Sequence, residues 1–135
     1  DRGPVRATRS VLLDTQALLW LLADSPRFGP RARALINSTD RVYYSAASIW
    51  EIEIKRALGK LRIDADLAES LQAAGVRELP VTAGHALATS AVELPHRDPF
   101  DRMLLAQAEV EGMTFLTADG VLLGLSSRKV VDVEA

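Results

Sequence analysis

Short apolar runs that stop at an acid and then open into helix-spaced stripes recur along this chain. The first is Val11-Leu12-Leu13, closed by Asp14; Leu18, Leu19 and Leu22 then return at helical spacing. A fully apolar run suits a strand buried on both faces, although a run this short also fits a buried helix. Trp20 and Leu21 make the following helix apolar nearly all round. Asp24 to Pro30 is a turn-rich break, and Pro30 fits the first position of a short helix with Ala32, Leu35 and Ile36 as its buried side. Val42-Tyr43-Tyr44-Ser45 reads as a second strand.

A longer helix is predicted from about Ala47 to Leu58, ended by Gly59, with Ala47, Trp50, Ile54, Ala57 and Leu58 as its apolar stripe. Leu67 to Ala74 is a weaker helix. Arg77 to Val81 is a short or edge strand because of Pro80. His85 to Val92 is helical on Ala86, Leu87 and Ala91. A turn at Pro95 to Pro99 leads into a helix over Pro99–Glu111. Thr114 to Thr117 is a strand, Ala118-Asp119-Gly120 a turn, and a short helical piece precedes a last strand, Lys129 to Val133. Strands and helices alternate, which predicts one α/β domain with a mostly parallel sheet of four to five strands and right-handed crossovers.

At 135 residues and 48% apolar, the chain is long enough to bury one core and too apolar for disorder. Its net charge of −2 gives no global pull on nucleic acid, so any such contact needs a local patch. The absence of cysteine excludes disulfides, thiolate metal sites and a cysteine nucleophile, and is compatible with a reducing cytoplasm. No run approaches the ~20 apolar residues of a membrane span. The polar stretch 1–9, with Gly3 and Pro4, reads as an expression scar or a disordered arm, leaving 10–135 as the domain.

The acids change the picture. Asp14 ends a predicted central strand where a helix begins, the place where open parallel sheets bind ligands; it equally suits an N-cap. Glu51 lies on the apolar side of its helix, which costs free energy unless it is paired or ligated. It could close a capping box from Ser48 or pair with Lys55 four residues on. Asp98, before Pro99, is placed as a helix cap. Asp101 heads the buried stripe of its helix, or complements the helix dipole. Asp119 repeats the Asp14 arrangement of apolar run, threonine and acid, or simply makes a turn. Two like charges ~4 Å apart repel by ~4 kcal/mol at an effective dielectric of ~20. If Asp14, Glu51, Asp101 and Asp119 meet, they need cations. An oxygen-only donor set suits Mg²⁺ or Mn²⁺, and metal-assisted hydrolysis of a phosphodiester is the natural reaction class.

Four segments, LLDTQALLWLL, SAASIWEIEIKRALGKL, HRDPFDRMLLAQA and TFLTAD, occur in that order from Val11 to Asp119. Together they resemble the VapC-type PIN-domain proteins, the toxin halves of bacterial toxin–antitoxin pairs. The resemblance implies a three-layer α/β/α domain and a cytoplasmic, Mg²⁺-dependent endoribonuclease in which Mn²⁺ can substitute. It places the family's acidic quartet on Asp14, Glu51, Asp101 and Asp119, with Asp98 as an accessory acid. Thr15 and Thr117 then support carboxylates or waters by hydroxyl hydrogen bonds. The sequence departs from many relatives at Gln16, where they carry histidine. The resemblance also implies a homodimer and a cognate antitoxin whose tail covers the cleft. Trp20 and Leu21 are candidates for an interface or for extra core. An RNA substrate would need cations: Lys55, Arg56, Lys60 and Arg62 cluster at one helix end, and Arg97 and Arg102 flank the acids. Trp50 fits core better than a base-stacking platform. Against the nuclease stands a catalytically silent interaction module of the same fold, in which the acids serve only as caps and ion pairs. A metal-dependent phosphatase or phospho-acceptor domain is a third reading, resting on Asp14 alone.

Overall fold

Residues 9–93, 98–124 and 129–135 are described by a computed structural model. The strands are β1 (Ser10–Leu13), β2 (Arg41–Ser45), β3 (Arg77–Leu79), β4 (Thr114–Thr117) and β5 (Val130–Asp132). They form one all-parallel sheet in the order β3-β2-β1-β4-β5. The central strand is the first apolar run of the sequence. Its Leu12 pairs with Tyr43 on one side and Phe115 on the other. The expected edge strand is at the edge, and it stops at Leu79, before the proline that lacks a ladder donor.

The helices are α1 (Thr15–Leu22), α2 (Pro30–Asn37), α3 (Ala46–Ala57), α4 (Leu67–Ala74), α5 (Ala83–Ala88), α6 (Pro99–Glu111) and α7 (Gly120–Leu123). From β1 the chain steps outward to β2 and β3, then returns to the other side of β1 and steps on to β5. Right-handed crossovers in opposite directions must lie on opposite faces of the sheet. The core divides accordingly, because successive strand residues point to opposite faces. Val11, Leu13 and Leu116 pack with Ala17, Leu18, Phe28, Ala32, Ile52 and Leu71. Leu12 and Phe115 pack with Leu104, Leu105, Ala108 and Leu122 on the other side. The result is the three-layer α/β/α arrangement. No helix of the described residues is long and apolar enough to cross a membrane. Of the expected N-terminal arm, only Arg9 lies within the described residues, and it bonds to Asp40 and Arg41.

Two helices turn a different face inward from the one their apolar residues suggest. In α3 the buried residues are Ala47, Ser48, Glu51 and Ile52, while Trp50 is 65% exposed, its ring edge-on to Phe100. The rotation is possible because Glu51 finds partners inside. The N-cap is Ser45, whose hydroxyl accepts from Ala47 N–H, so the Ser48–Glu51 capping box does not form. Where one helix is expected over His85–Val92, α5 ends at Ala88 and a single 3₁₀ turn, Thr89–Ala91, follows. Leu87 is exposed and His85 is buried. Nδ1 of His85 accepts from Thr82 N–H at 3.1 Å, which leaves Nε2 to donate to Glu111 at 2.8 Å. A capping box thus satisfies an imidazole that burial would otherwise penalise.

Gly29, in the turn-rich break, holds the end of the sheet against α2. Its N–H donates to Val133 C=O, and Arg31 and Ala32 N–H donate to Ala135 C=O. A methyl group on Gly29 would lie 2.1 Å from that same Ala135 oxygen. Backbone cannot yield as a flexible side chain does. Gly29→Ala is therefore expected to displace the segment after β5 and to destabilise by ~3 kcal/mol, measured as a fall in the urea midpoint.

Candidate active site

The sheet's direction of travel reverses between β1 and β4, and the acids gather outside the carboxyl ends of these two strands. Asp14 follows β1 and caps α1. Its Oδ1 accepts from Ala17 N–H at 2.7 Å. Its Oδ2 accepts from the Thr117 hydroxyl at 2.6 Å and Ala118 N–H at 3.1 Å, the last residue of β4 and the one after it. Thr117 in turn accepts from Asp119 N–H at 3.0 Å, so one hydroxyl links the two strand-end acids. Asp14 is buried, and burial raises its pKa above the ordinary value of 3.8. The three hydrogen bonds oppose that rise and the nearby Glu51 charge adds to it. Neutral donors orient this carboxylate without neutralising it.

Glu51 enters from α3 and is also buried. Its Oε1 accepts from the Thr15 hydroxyl at 2.7 Å, and its Oε2 accepts from Lys55 Nζ at 2.6 Å. The Ser48 hydroxyl stands 2.9 Å from Thr15. Thr15 has one proton and the carboxylate can only accept, so the proton goes to Glu51 and Ser48 donates to Thr15. Ser48 is a site residue that the sequence reading misses. Its signal was its place three residues before Glu51, on the same helix face, which also fits a cap.

Asp101 is half-buried in the first turn of α6, and Asp98 caps that helix by accepting from Phe100 and Asp101 N–H at 2.9 and 3.4 Å. Asp119 is half-buried and caps α7 through Val121 N–H. Asp14, Glu51, Asp101 and Asp119 all line one open cleft of about 460 Å³, with Thr15, Gln16, Lys55, Lys60, Leu61 and Ala118. The separate structural explanations for these acids therefore hold together with the shared cleft: Asp14 and Asp119 cap helices, Asp101 stands in the first turn of α6, and Glu51 has its lysine. Asp98 and Thr117 are not among the lining residues. Thr117 acts behind Asp14.

Among the described residues, no three acidic or histidine side chains converge into a ready-made metal cage. The donor set still fits a hard divalent ion of the magnesium type, which keeps several waters and takes only one or two carboxylates directly. Of the expected cations, Lys55 and Lys60 line the cleft. Arg56 pairs with Glu53 on the exposed side of α3, and Arg62 pairs with Asp64. Arg102 does not line the cleft; its guanidinium donates to the C=O of Thr89 and Val92, holding the 3₁₀ turn against α6. Arg97 lies outside the described residues. An apolar groove of about 390 Å³ adjoins the cleft and includes Leu19, Trp20, Leu61 and Ile63. Arg27 lies over the Trp20 ring at 4.4 Å.

No curated protein matches the sequence. Solved structures do. A toxin–antitoxin complex from Klebsiella pneumoniae is similar over 91% of this chain and 97% of its own, with a TM-score of 0.65 at 17% identity. FitAcB from Neisseria gonorrhoeae is similar over 91% of this chain and 97% of its own, with a TM-score of 0.60 at 22% identity. The Mycobacterium tuberculosis toxin VapC20, described as cleaving the sarcin-ricin loop, is similar over 90% and 98%, with a TM-score of 0.57 at 18% identity. At these identities the likeness is one of fold. The PIN domain family profile matches residues 11–124, a span that runs from the central strand through the last of the cleft acids, and the chain belongs to the PIN-domain family.

Proposed function

We propose that this protein is the toxin half of a type II toxin–antitoxin pair: a Mg²⁺-dependent endoribonuclease, homodimeric, and inhibited by a cognate antitoxin. The observation that carries the reading is the cleft itself. Acids from β1, α3, α6 and the end of β4, spread over more than a hundred positions, line one opening at the switch point of the sheet. The fold shared with toxins of such pairs supports the partner class.

On this reading Asp14, Glu51, Asp101 and Asp119 hold the ion, directly or through water. A divalent ion held there supplies charge that activates water and stabilises the departing oxygen of a phosphodiester. The chain's own residues do the positioning. Thr117 and Ala118 N–H fix one oxygen of Asp14, and Ala17 N–H fixes the other. Thr15, backed by Ser48, fixes Glu51. Lys55 and Lys60 give the cleft a cationic side for the RNA phosphates. The cleft is open, and a single-stranded loop can present its unstacked bases there.

The test is cleavage of structured RNA with Mg²⁺, with EDTA, and by Asp101→Asn. Cleavage is expected to vanish in EDTA and to fall at least about a hundredfold in the variant. Undiminished cleavage by Asp101→Asn would remove the mechanism. The alternative, a silent interaction module, gains from the structural task found for Asp14, Glu51, Asp98 and Asp119. It requires that calorimetry find no Mg²⁺ or Mn²⁺ binding.

A further inference from the structure

Lys55 is half-exposed, yet its ammonium stands 2.6 Å from a buried carboxylate. An exposed glutamate–lysine pair one helical turn apart stabilises a helix only weakly. Here the glutamate has left solvent. Its side chain is 11% exposed, and its other oxygen is already taken by Thr15. Removing the partner of a buried charge costs far more than breaking a surface pair. Asp14, by contrast, is held by two amides and a hydroxyl, which carry no net charge. Within the cleft, Lys55 supplies the formal positive charge that meets Glu51.

We propose that Lys55 is the resident counter-cation of the acidic cleft: its ammonium holds Glu51 until a divalent ion takes that carboxylate, so that binding the ion and releasing the lysine are one exchange. The inference rests on the metal-binding part of the proposed function and assigns Lys55 a positioning role through Glu51. Two consequences follow from charge alone. The fold does not carry an unpaired Glu51 before the ion arrives. After the exchange, the freed ammonium remains in the cleft lining, where a phosphate can use it. Lys55 therefore serves the acid and the substrate in turn rather than together.

Calorimetric titration with Mn²⁺ tests the exchange on wild type, Lys55→Gln, Lys55→Arg and Lys60→Gln. Lys60 lines the same cleft, so its loss reports the general effect of removing one positive charge. Lys55→Gln is expected to bind Mn²⁺ about fivefold more tightly than wild type, and Lys60→Gln less than about twofold more tightly. Lys55→Arg, which keeps the charge, is expected to return the affinity to that of wild type. In EDTA, Lys55→Gln is expected to melt below both wild type and Lys60→Gln. Equal shifts for the two glutamine variants, or no tightening in Lys55→Gln, would overturn the exchange while leaving the nuclease reading intact. Absence of Mn²⁺ binding by wild type would overturn both.

Discussion

Asp14→Asn is expected to lose RNA cleavage by about a thousandfold, because a carboxylate worth ~4 kcal/mol of charge stabilisation at the reacting phosphate is removed. The substitution keeps the shape of the side chain and one carbonyl oxygen for the Ala17 amide. It cannot accept from both Ala118 N–H and the Thr117 hydroxyl as before, so the remaining site is also less well held. The loss should appear in the chemical step under saturating RNA. Stability should move differently. The pKa of Asp14 is raised, chiefly by burial, so the folded state takes up its proton at a higher pH than the unfolded chain does. Folded protein then binds more protons between 3.8 and the raised value, and stability contributed by Asp14 falls as pH rises through that window. In EDTA, the parent should therefore gain stability relative to Asp14→Asn as pH is lowered from 8 towards 4. Urea melts of the two proteins across that range check the sign. A parent that loses ground on acidification would contradict the burial argument.

Phe115→Ala is expected to be the most damaging core substitution, at ~4 kcal/mol. Phe115 is 1% exposed, in the second strand from the sheet's edge, and faces α6 and α7 with Leu12, Leu104 and Leu122. Its removal leaves a cavity where strands on both sides prevent collapse. A domain of this size has only ~5–15 kcal/mol to lose. The urea midpoint should fall by a third or more of its parent value if total stability is ~10 kcal/mol. Because Phe115 and Thr117 share β4, partial loosening should reach the cleft through the Thr117–Asp14 bond before global unfolding.

Much of this arrangement is legible in the residues because the signals are local. Val11-Leu12-Leu13 is apolar without alternation because both faces of β1 are covered. Proline at 99 and glycine at 112 bracket α6 where caps belong, and Gly112 takes the left-handed conformation that suits glycine. Pro80 ends β3. What the sequence does not carry is the rotation of a helix about its own axis when polar groups are satisfied at a distance. Trp50 looks like core and is exposed; Ser48 looks like a cap and is buried beside Glu51, whose inward side the spacing does indicate. The deciding contact is Thr15, thirty-six positions from Glu51. His85 is the same lesson: its burial depends on Glu111 and Gln107, which no nearby residue announces. Arg102 reads as a neighbour of acids along the chain, yet its partners are two carbonyls of a preceding turn.

The tie between Thr117 and Asp14 spans 103 positions. A nascent chain leaves the ribosome with Asp14 long before β4 exists. At about 10 residues per second, the interval is ~10 s. Until then the α1 cap lacks its hydroxyl partner, and the central strand lacks one of its two neighbours. On the proposed reading, stalled or truncated translation products that stop short of residue 117 are harmless to RNA, however well their first half folds.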